Sequence, residues 1–238
     1  MRHNLKRSAL CAALPIATFI GLLGVANASR QESSTEIEKR LQASAEVLMQ
    51  VMSEPDKTIP ADVLANAKCV VVIPSLIKFA LGVGARHGKG FATCRTSKRW
   101  SAPGPISING GSIGLQIGTQ TVDIILVILD QDAFKELLLR KITIGSEVTG
   151  MPGPVGKVTD TNDWRNAKIL SYSRSHGLFA GVTLKGASLK QDKDGIVQLY
   201  RRYIPIEALL EGKVSPPQKS QQFLAALRAS MSQSPTAQ

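Results

Sequence analysis

The stretch Asn109–Leu129, N-G-G-S-I-G-L-Q-I-G-T-Q-T-V-D-I-I-L-V-I-L, restricts the fold more than any other part of the chain. Ile113, Leu115 and Ile117 alternate with Gly114, Gln116 and Gly118, a period of two that a strand uses and a helix cannot. Glycines at 114 and 118 would also weaken a helix by roughly 1 kcal/mol each relative to alanine. Thr121 to Leu129 then runs apolar on both faces, which predicts a central, doubly covered strand. Gly110 and Gly111 are expected to turn the chain into this strand. Gly114 and Gly118 would leave its backbone open to close approach.

That periodicity also disposes of two motifs. Gly110-Gly111-Ser112-Ile113-Gly114 fits G-x-S-x-G, but a nucleophile elbow needs a strand-to-helix turn directly after its serine. A triad would further need a later histidine, and His176 is the only one downstream. Gly110, Gly114 and Gly118 satisfy GxxxG, yet on a membrane helix Gln116, Gln120 and Asp123 would face lipid. Gly88-Lys89 and Gly156-Lys157 lack the earlier glycine and the following Ser or Thr of a phosphate loop. Asp192-x-Asp194-Gly195 lacks the remaining ligands of a calcium loop and reads as a β-turn. His87 stands alone. No catalytic residue, cofactor or metal site is expected, and the chain does not read as an enzyme.

Helices bracket the β-rich middle. Thr35 to Ser53 places Ile37, Leu41, Ala45, Leu48 and Met52 on one stripe, opposite a face of mixed charge. Ala61–Ala67, Gln131–Arg140, Pro205–Glu211 and Gln218–Met231 read as shorter helices. Strands are expected at Cys69–Ile73, Phe79–Arg86, Gly90–Arg95, Lys168–Arg174, Leu178–Leu189 and Ile196–Arg202. The His87-Gly88-Lys89 tripeptide would be a hairpin turn. The fold class is therefore α+β: a mainly antiparallel, twisted or barrel-like β body, with an N-terminal amphipathic helix and short C-terminal helices.

Residues 1–28 read as a secretory signal, with Arg2, Lys6 and Arg7 before an apolar run and Ala26-Asn27-Ala28 as the cleavage site. Residues 29–34 would be a linker and 35–231 one domain, with helix 35–53, a β-rich body over 68–203 and helices over 205–231. A disordered tail, 232–238, would follow. Cleavage removes three cations and no acid, taking the net charge from +11 to +8. The mature chain is thus expected to be exported, to the periplasm, cell envelope or beyond, and to meet anionic lipids or polymers there, with nucleic acid the poorer candidate. Cys69 and Cys94 would form one disulfide or remain as two buried thiols.

The charges are unevenly distributed. Between Val63 and Val122 there is no Asp or Glu, while Lys68, Lys78, Arg86, Lys89, Arg95, Lys98 and Arg99 occur. A second acid-free interval, Trp164–Gln191, holds Arg165, Lys168, Arg174, Lys185 and Lys190. If strands from the two intervals lie side by side, their polar faces form one positive surface. Lys78, Arg86, Lys89, Arg95, Lys98, Arg99 and Arg174 are the expected headgroup contacts.

Several of these segments resemble one family. N-G-G-S-I-G-L-Q-I-G at 109–118, V-D-I-I-L-V-I-L-D at 122–130, Y-S-R-S-H-G-L-F-A-G at 172–181 and K-C-V-V-V-I-P-S at 68–75 are similar to the SYLF domain, over roughly residues 35–230. The resemblance implies a lipid-binding module without catalysis, whose partners are anionic phospholipids or a membrane surface. Its eukaryotic members bind phosphoinositides and, in fungi, actin, beside SH3 or FYVE domains. Neither domain is read here, and the signal resembles that of exported bacterial members, so those two ligands are not carried over. Which protein partner, if any, the chain has is not implied.

Overall fold

A computed structural model describes residues 34–50, 59–140, 143–146, 148–154, 162–175, 178–181 and 184–231. The signal segment, the 232–238 tail and His176 lie outside the described residues.

Among the described residues, six α-helices and six strands make up the α+β domain. They are α1 (Ser34–Gln50), α2 (Ala61–Asn66), β1 (Cys69–Cys94), β2 (Gly104–Ile128), α3 (Gln131–Leu139), β3 (Gly150–Pro152), β4 (Ile169–Ser175), β5 (Leu178–Gly181), β6 (Ala187–Gln191), α4 (Lys193–Tyr200), α5 (Ile206–Leu210) and α6 (Gln221–Met231). The strands form one sheet ordered β1-β2-β4-β3, with β5 added beside β4 and β6 beside β2. Among the described strands the β3–β4 pair is parallel and the other pairs are antiparallel.

The sheet is dominated by β1 and β2, paired antiparallel from Cys69–Ile128 to Ala92–Gly104. This ribbon does not run straight. A disulfide joins Cys69 to Cys94, at opposite ends of β1, and the Arg95 amide donates to the Lys68 carbonyl at 2.7 Å. The two halves of β1 therefore lie against each other, antiparallel. A Cβ added at Gly90 would sit 2.0 Å from the Val72 carbonyl oxygen, and one at Gly88 would sit 2.7 Å from Ile73 Cγ2. The fold-back falls near residues 81–83, where the register with β2 shifts.

A second shift, between Ile73 and Leu76, sets Pro74 and Ser75 against Asp123 alone, a β-bulge that bends the ribbon. Ser75 takes a left-handed φ of 54°, and the Asp123 carboxylate accepts its amide at 3.0 Å. Proline has no N–H to lose from the ladder, so it fits this position.

Curling gives the sheet two buried faces. Val71, Ile73, Ile106, Ile108, Ile124, Leu126 and Leu189 line the inside with α3 and α5. Val70, Val72, Phe91, Ile125, Val127, Leu170 and Tyr172 pack outward against α1, α2 and α6. The doubly apolar character of 69–73 and 121–129 follows from this arrangement. Ile37, Leu41, Ala45 and Leu48, the stripe of α1, are fully buried against α6 and β1.

Four local expectations are corrected. His87-Gly88-Lys89 is not a turn; it lies inside β1, and the hairpin turn comes after Cys94, closed by the Arg95–Trp100 bridge. Gly110 and Gly111 do not turn the chain into β2 but sit within it, paired with Arg86 and Ala85. Leu178–Leu189 is two strands, β5 and the start of β6. Ile196–Arg202 is not a strand. Asp192 caps α4 by accepting the Gly195 amide at 3.2 Å, and the helix carries Ile196 and Leu199 into the core.

Candidate functional site

The seven expected headgroup residues separate into those tied into the fold and those left outside it. Lys89 is tied. Its Nζ lies 3.2 Å from Asp192 Oδ2, which Arg40 of α1 also meets at 3.2 Å. Asp192 is only 7% exposed, and its second oxygen caps α4. This one carboxylate thus joins α1, β1 and α4. Arg174 is tied as well, its guanidinium 2.9 Å from Asp123, the carboxylate that supports the bulge at Ser75.

Arg95 stays near the surface but is held in place. Its Nε donates to the Ala67 carbonyl at 3.2 Å, and its guanidinium stacks 4.7 Å from the Trp100 ring centroid. Lys98 and Arg99 are exposed in the same turn, whose shape is fixed by the Arg99 amide donating to Thr96 Oγ1 at 3.1 Å.

Lys78 and Arg86 occupy the opposite end of the ribbon, beside the fold-back. Val72 and Leu76 of one half of β1 face Gly90 and Gly88 of the other, and continuing that spacing sets Lys78 opposite Arg86, close enough for the two charges to act on each other. Arg86 lies along Gly110, where an added Cβ would be 3.2 Å from its Nε, and its Nη2 reaches the Gly111 carbonyl at 3.5 Å. Burial pushes the Lys78 ammonium below its ordinary value, and the Arg86 charge lowers it further; burial lowers Arg86 too. Among the described residues, no carboxylate forms an ion pair with either. Nine residue steps, about 30 Å at full extension, separate Arg86 from Arg95.

The sheet does bring the two acid-free intervals together. Ile106–Gly110 of β2 pairs with Ala187–Gln191 of β6, setting Lys190 opposite Ser107. Two residues before β6, Lys185 is exposed.

Other expectations find simpler places. Ser112 pairs with Gly84 in the middle of a continuous strand, and strand, not helix, comes directly after it. His87 Nδ1 is 2.7 Å from Asn109 Oδ1 across the ribbon. Cys69 and Cys94 are disulfide-bonded. Gly118 holds a φ of +140°, and Gly114 lies within β2. Among the described residues there is no His, Cys, Asp or Glu cluster that could hold a metal. No described helix is long and apolar enough to cross a membrane. A groove of about 340 Å³ beside α1 and α6 has a mixed lining, with Leu41 and Phe223 among Glu38, Lys39, Gln42 and Lys219.

Sequence reasoning missed two features. Asp192 is a shared anchor rather than a turn residue; Ile196, Leu199 and Tyr200 at helical spacing after it were the available signal. Ile77 and Phe79 are exposed, 50% and 45%, and nothing in the sequence pattern singled them out.

Comparison with known proteins places the chain in a family. Residues 109–230 match the Ysc84 family, described as Las17-binding protein actin regulator. The chain is 34% identical over 180 residues to the SH3 domain-containing YSC84-like protein 1 of Rattus norvegicus, covering 74% of this chain and 52% of that one. It is 32% identical over 167 residues to an SH3 domain-containing protein of Schizosaccharomyces pombe, covering 68% and 39%. It is 30% identical over 168 residues to LAS seventeen-binding protein 3 of Saccharomyces cerevisiae, covering 68% and 36%. The chain spans about half or less of the length of these relatives. With its glycine-lined strand at the start of the matched region, the chain belongs to the Ysc84/SYLF-domain family.

Proposed function

We propose that this chain is an exported, non-enzymatic protein that binds anionic phospholipid headgroups at a membrane surface through the basic side chains of its curled ribbon. The observation that carries the reading is the pairing of β2 with β6. It sets strands from two acid-free intervals side by side, so that no carboxylate occurs among the paired residues Ile106–Gly110 and Ala187–Gln191. Each Lys or Arg near an anionic surface contributes about 1 kcal/mol, so four or five unpaired cations suffice for peripheral attachment. Lys78, Arg86, Lys98 and Arg99 remain the candidates, and Lys185 and the exposed Lys190 of β6 add to them. Lys89 and Arg174 act in the fold instead.

Co-sedimentation with phosphatidylglycerol or cardiolipin vesicles tests it. Binding should be saturable, absent from neutral phosphatidylcholine vesicles, and weaker as salt rises. Equal binding to neutral vesicles overturns the electrostatic reading. Export is tested by fractionation and by an N-terminus at Ser29 in the extracted protein.

The names of the relatives favour a second reading, in which the ligand is a protein. It would take precedence if no lipid bound and one partner were recovered reproducibly.

A further inference from the structure

At the fold-back, β1 leaves the core and its alternation changes meaning. Leu76 is fully buried, while Ile77 and Phe79, on the outer face, are about half exposed. Their cross-strand partners, Thr121 and Thr119, are exposed as well. Met49, Leu139 and Val197, also large, apolar and exposed, lie one to a helix. At the ribbon's end two such side chains are adjacent on one strand face, and the sequence from Phe79 to Ala85 carries no charge.

The inner face offers the complementary chemistry. Lys78, between Ile77 and Phe79 in sequence, faces Arg86 across the fold-back, and neither has a carboxylate partner among the described residues. Two half-buried cations held together without a counter-ion are an arrangement that an anion would relieve. An apolar pair beside an uncompensated cation pair matches the boundary of an anionic bilayer, where phosphate lies next to hydrocarbon. A soluble acidic polymer would satisfy the cations but leave Phe79 in water.

We propose that the folded-back end of the β1–β2 ribbon inserts into the interface of an anionic bilayer, with Ile77 and Phe79 entering the acyl boundary and Lys78 and Arg86 taking a lipid phosphate between them. This rests on the lipid-binding reading above and assigns the element that enters the membrane. Lysine and arginine suit the depth, because their aliphatic stems follow the apolar side chains inward while the charges stay at headgroup level.

The test is depth-dependent quenching on phosphatidylglycerol vesicles, using the full chain and its Phe79→Trp variant. The parent's indoles, Trp100 and Trp164, are both buried and give the background. Quenching by brominated acyl chains should rise with Phe79→Trp, and Ile77→Trp should repeat the result. Ile77→Ser/Phe79→Ser should weaken vesicle binding several-fold with unchanged urea stability. Lys78→Gln and Arg86→Gln should each weaken it about fivefold, the equivalent of roughly 1 kcal/mol per cation. A parent that binds vesicles while both added indoles stay unquenched and the serine variant binds as tightly overturns insertion and leaves surface binding standing. Failure of the parent to bind any anionic vesicle overturns both.

Discussion

The fold-back depends on glycine at position 90, and that dependence can be tested against a second glycine in the same ribbon. A Cβ on Gly90 would meet three backbone atoms, the Val72 oxygen at 2.0 Å, Ile73 Cα at 2.8 Å and the Val72 carbonyl carbon at 2.9 Å. None belongs to a side chain that could rotate away, and Val72 and Ile73 are fully buried. Gly90→Ala must therefore push the halves of β1 apart by about 1 Å, against ordinary contact distances. Overpacking a core usually costs about 1–3 kcal/mol, and a clash with backbone belongs at or above the upper end. Reduced freedom of the unfolded chain returns about 0.4–1 kcal/mol. The net expectation is a loss of about 2 kcal/mol or more. Gly111→Ala makes the opposite case, since its Cβ would find nothing nearer than the Gly84 oxygen at 3.8 Å. Only the unfolded-state term acts there, so stability should rise by about 0.4–1 kcal/mol. Urea unfolding of parent and both variants measures the difference, provided the slopes agree. Equal effects at the two sites, or a Gly90→Ala protein as stable as the parent, would refute the close packing of β1 on itself.

Three further perturbations address other joints of the fold. Replacing both Cys69 and Cys94 by alanine should lower stability by about 3.5 kcal/mol on the chain-entropy account, given their separation of 25 residues; a loss below about 1 kcal/mol in urea melts would contradict it. Asp192→Ala removes the shared partner of Arg40 and Lys89 and the cap of α4, and should cost about 3–5 kcal/mol; calorimetry showing an unchanged Tm would sink that account. Asp130 caps α3, and donation from the Ala133 amide, with Lys168 nearby, holds its carboxyl below the usual range. The depressed folded value means its contribution is present above the ordinary aspartate pKa and fades as pH falls through the folded one. Asp130→Ala should therefore cost about 1 kcal/mol near neutrality and progressively less in acid, and a pH-independent difference would count against the cap.

Periodicity made the helices legible, because α1, α3, α5 and α6 each bury one face, and a buried face writes a 3.6-residue pattern into the chain. The same logic placed 69–73 and 121–129 in the sheet. It failed where a local signal had a distant cause. Gly88 and Lys89 look like a turn, yet the glycines at 88 and 90 answer to Val72 and Ile73, which cross them from the other half of the strand. Asp192 looks like a turn residue because α4 is only eight residues long and its cap doubles as an ion-pair anchor. The positive charge of the ribbon was readable as two acid-free intervals. Which cations stay free was not, since the acids that neutralise Lys89 and Arg174 arrive from outside those intervals, Asp192 after β6 and Asp123 after Val122.

Coverage, more than net charge, sorts the ribbon's cations. Lys89 lies where α1 and α4 close over β1, so a cation there must be matched, and Asp192 matches it together with Arg40. Arg174 sits where β4 abuts the bulge, and Asp123 serves both the bulge and the charge. At the end of the ribbon no acid is supplied: among the described residues no carboxylate pairs with Lys78 or Arg86, and Ile77 and Phe79 are exposed. Two like charges brought together by a strand that doubles back would strain a fold that had no use for them. An anion between them removes that strain. The same curl that makes glycine obligatory at position 90 thus creates the pair of cations for which an anionic lipid surface is the proposed partner.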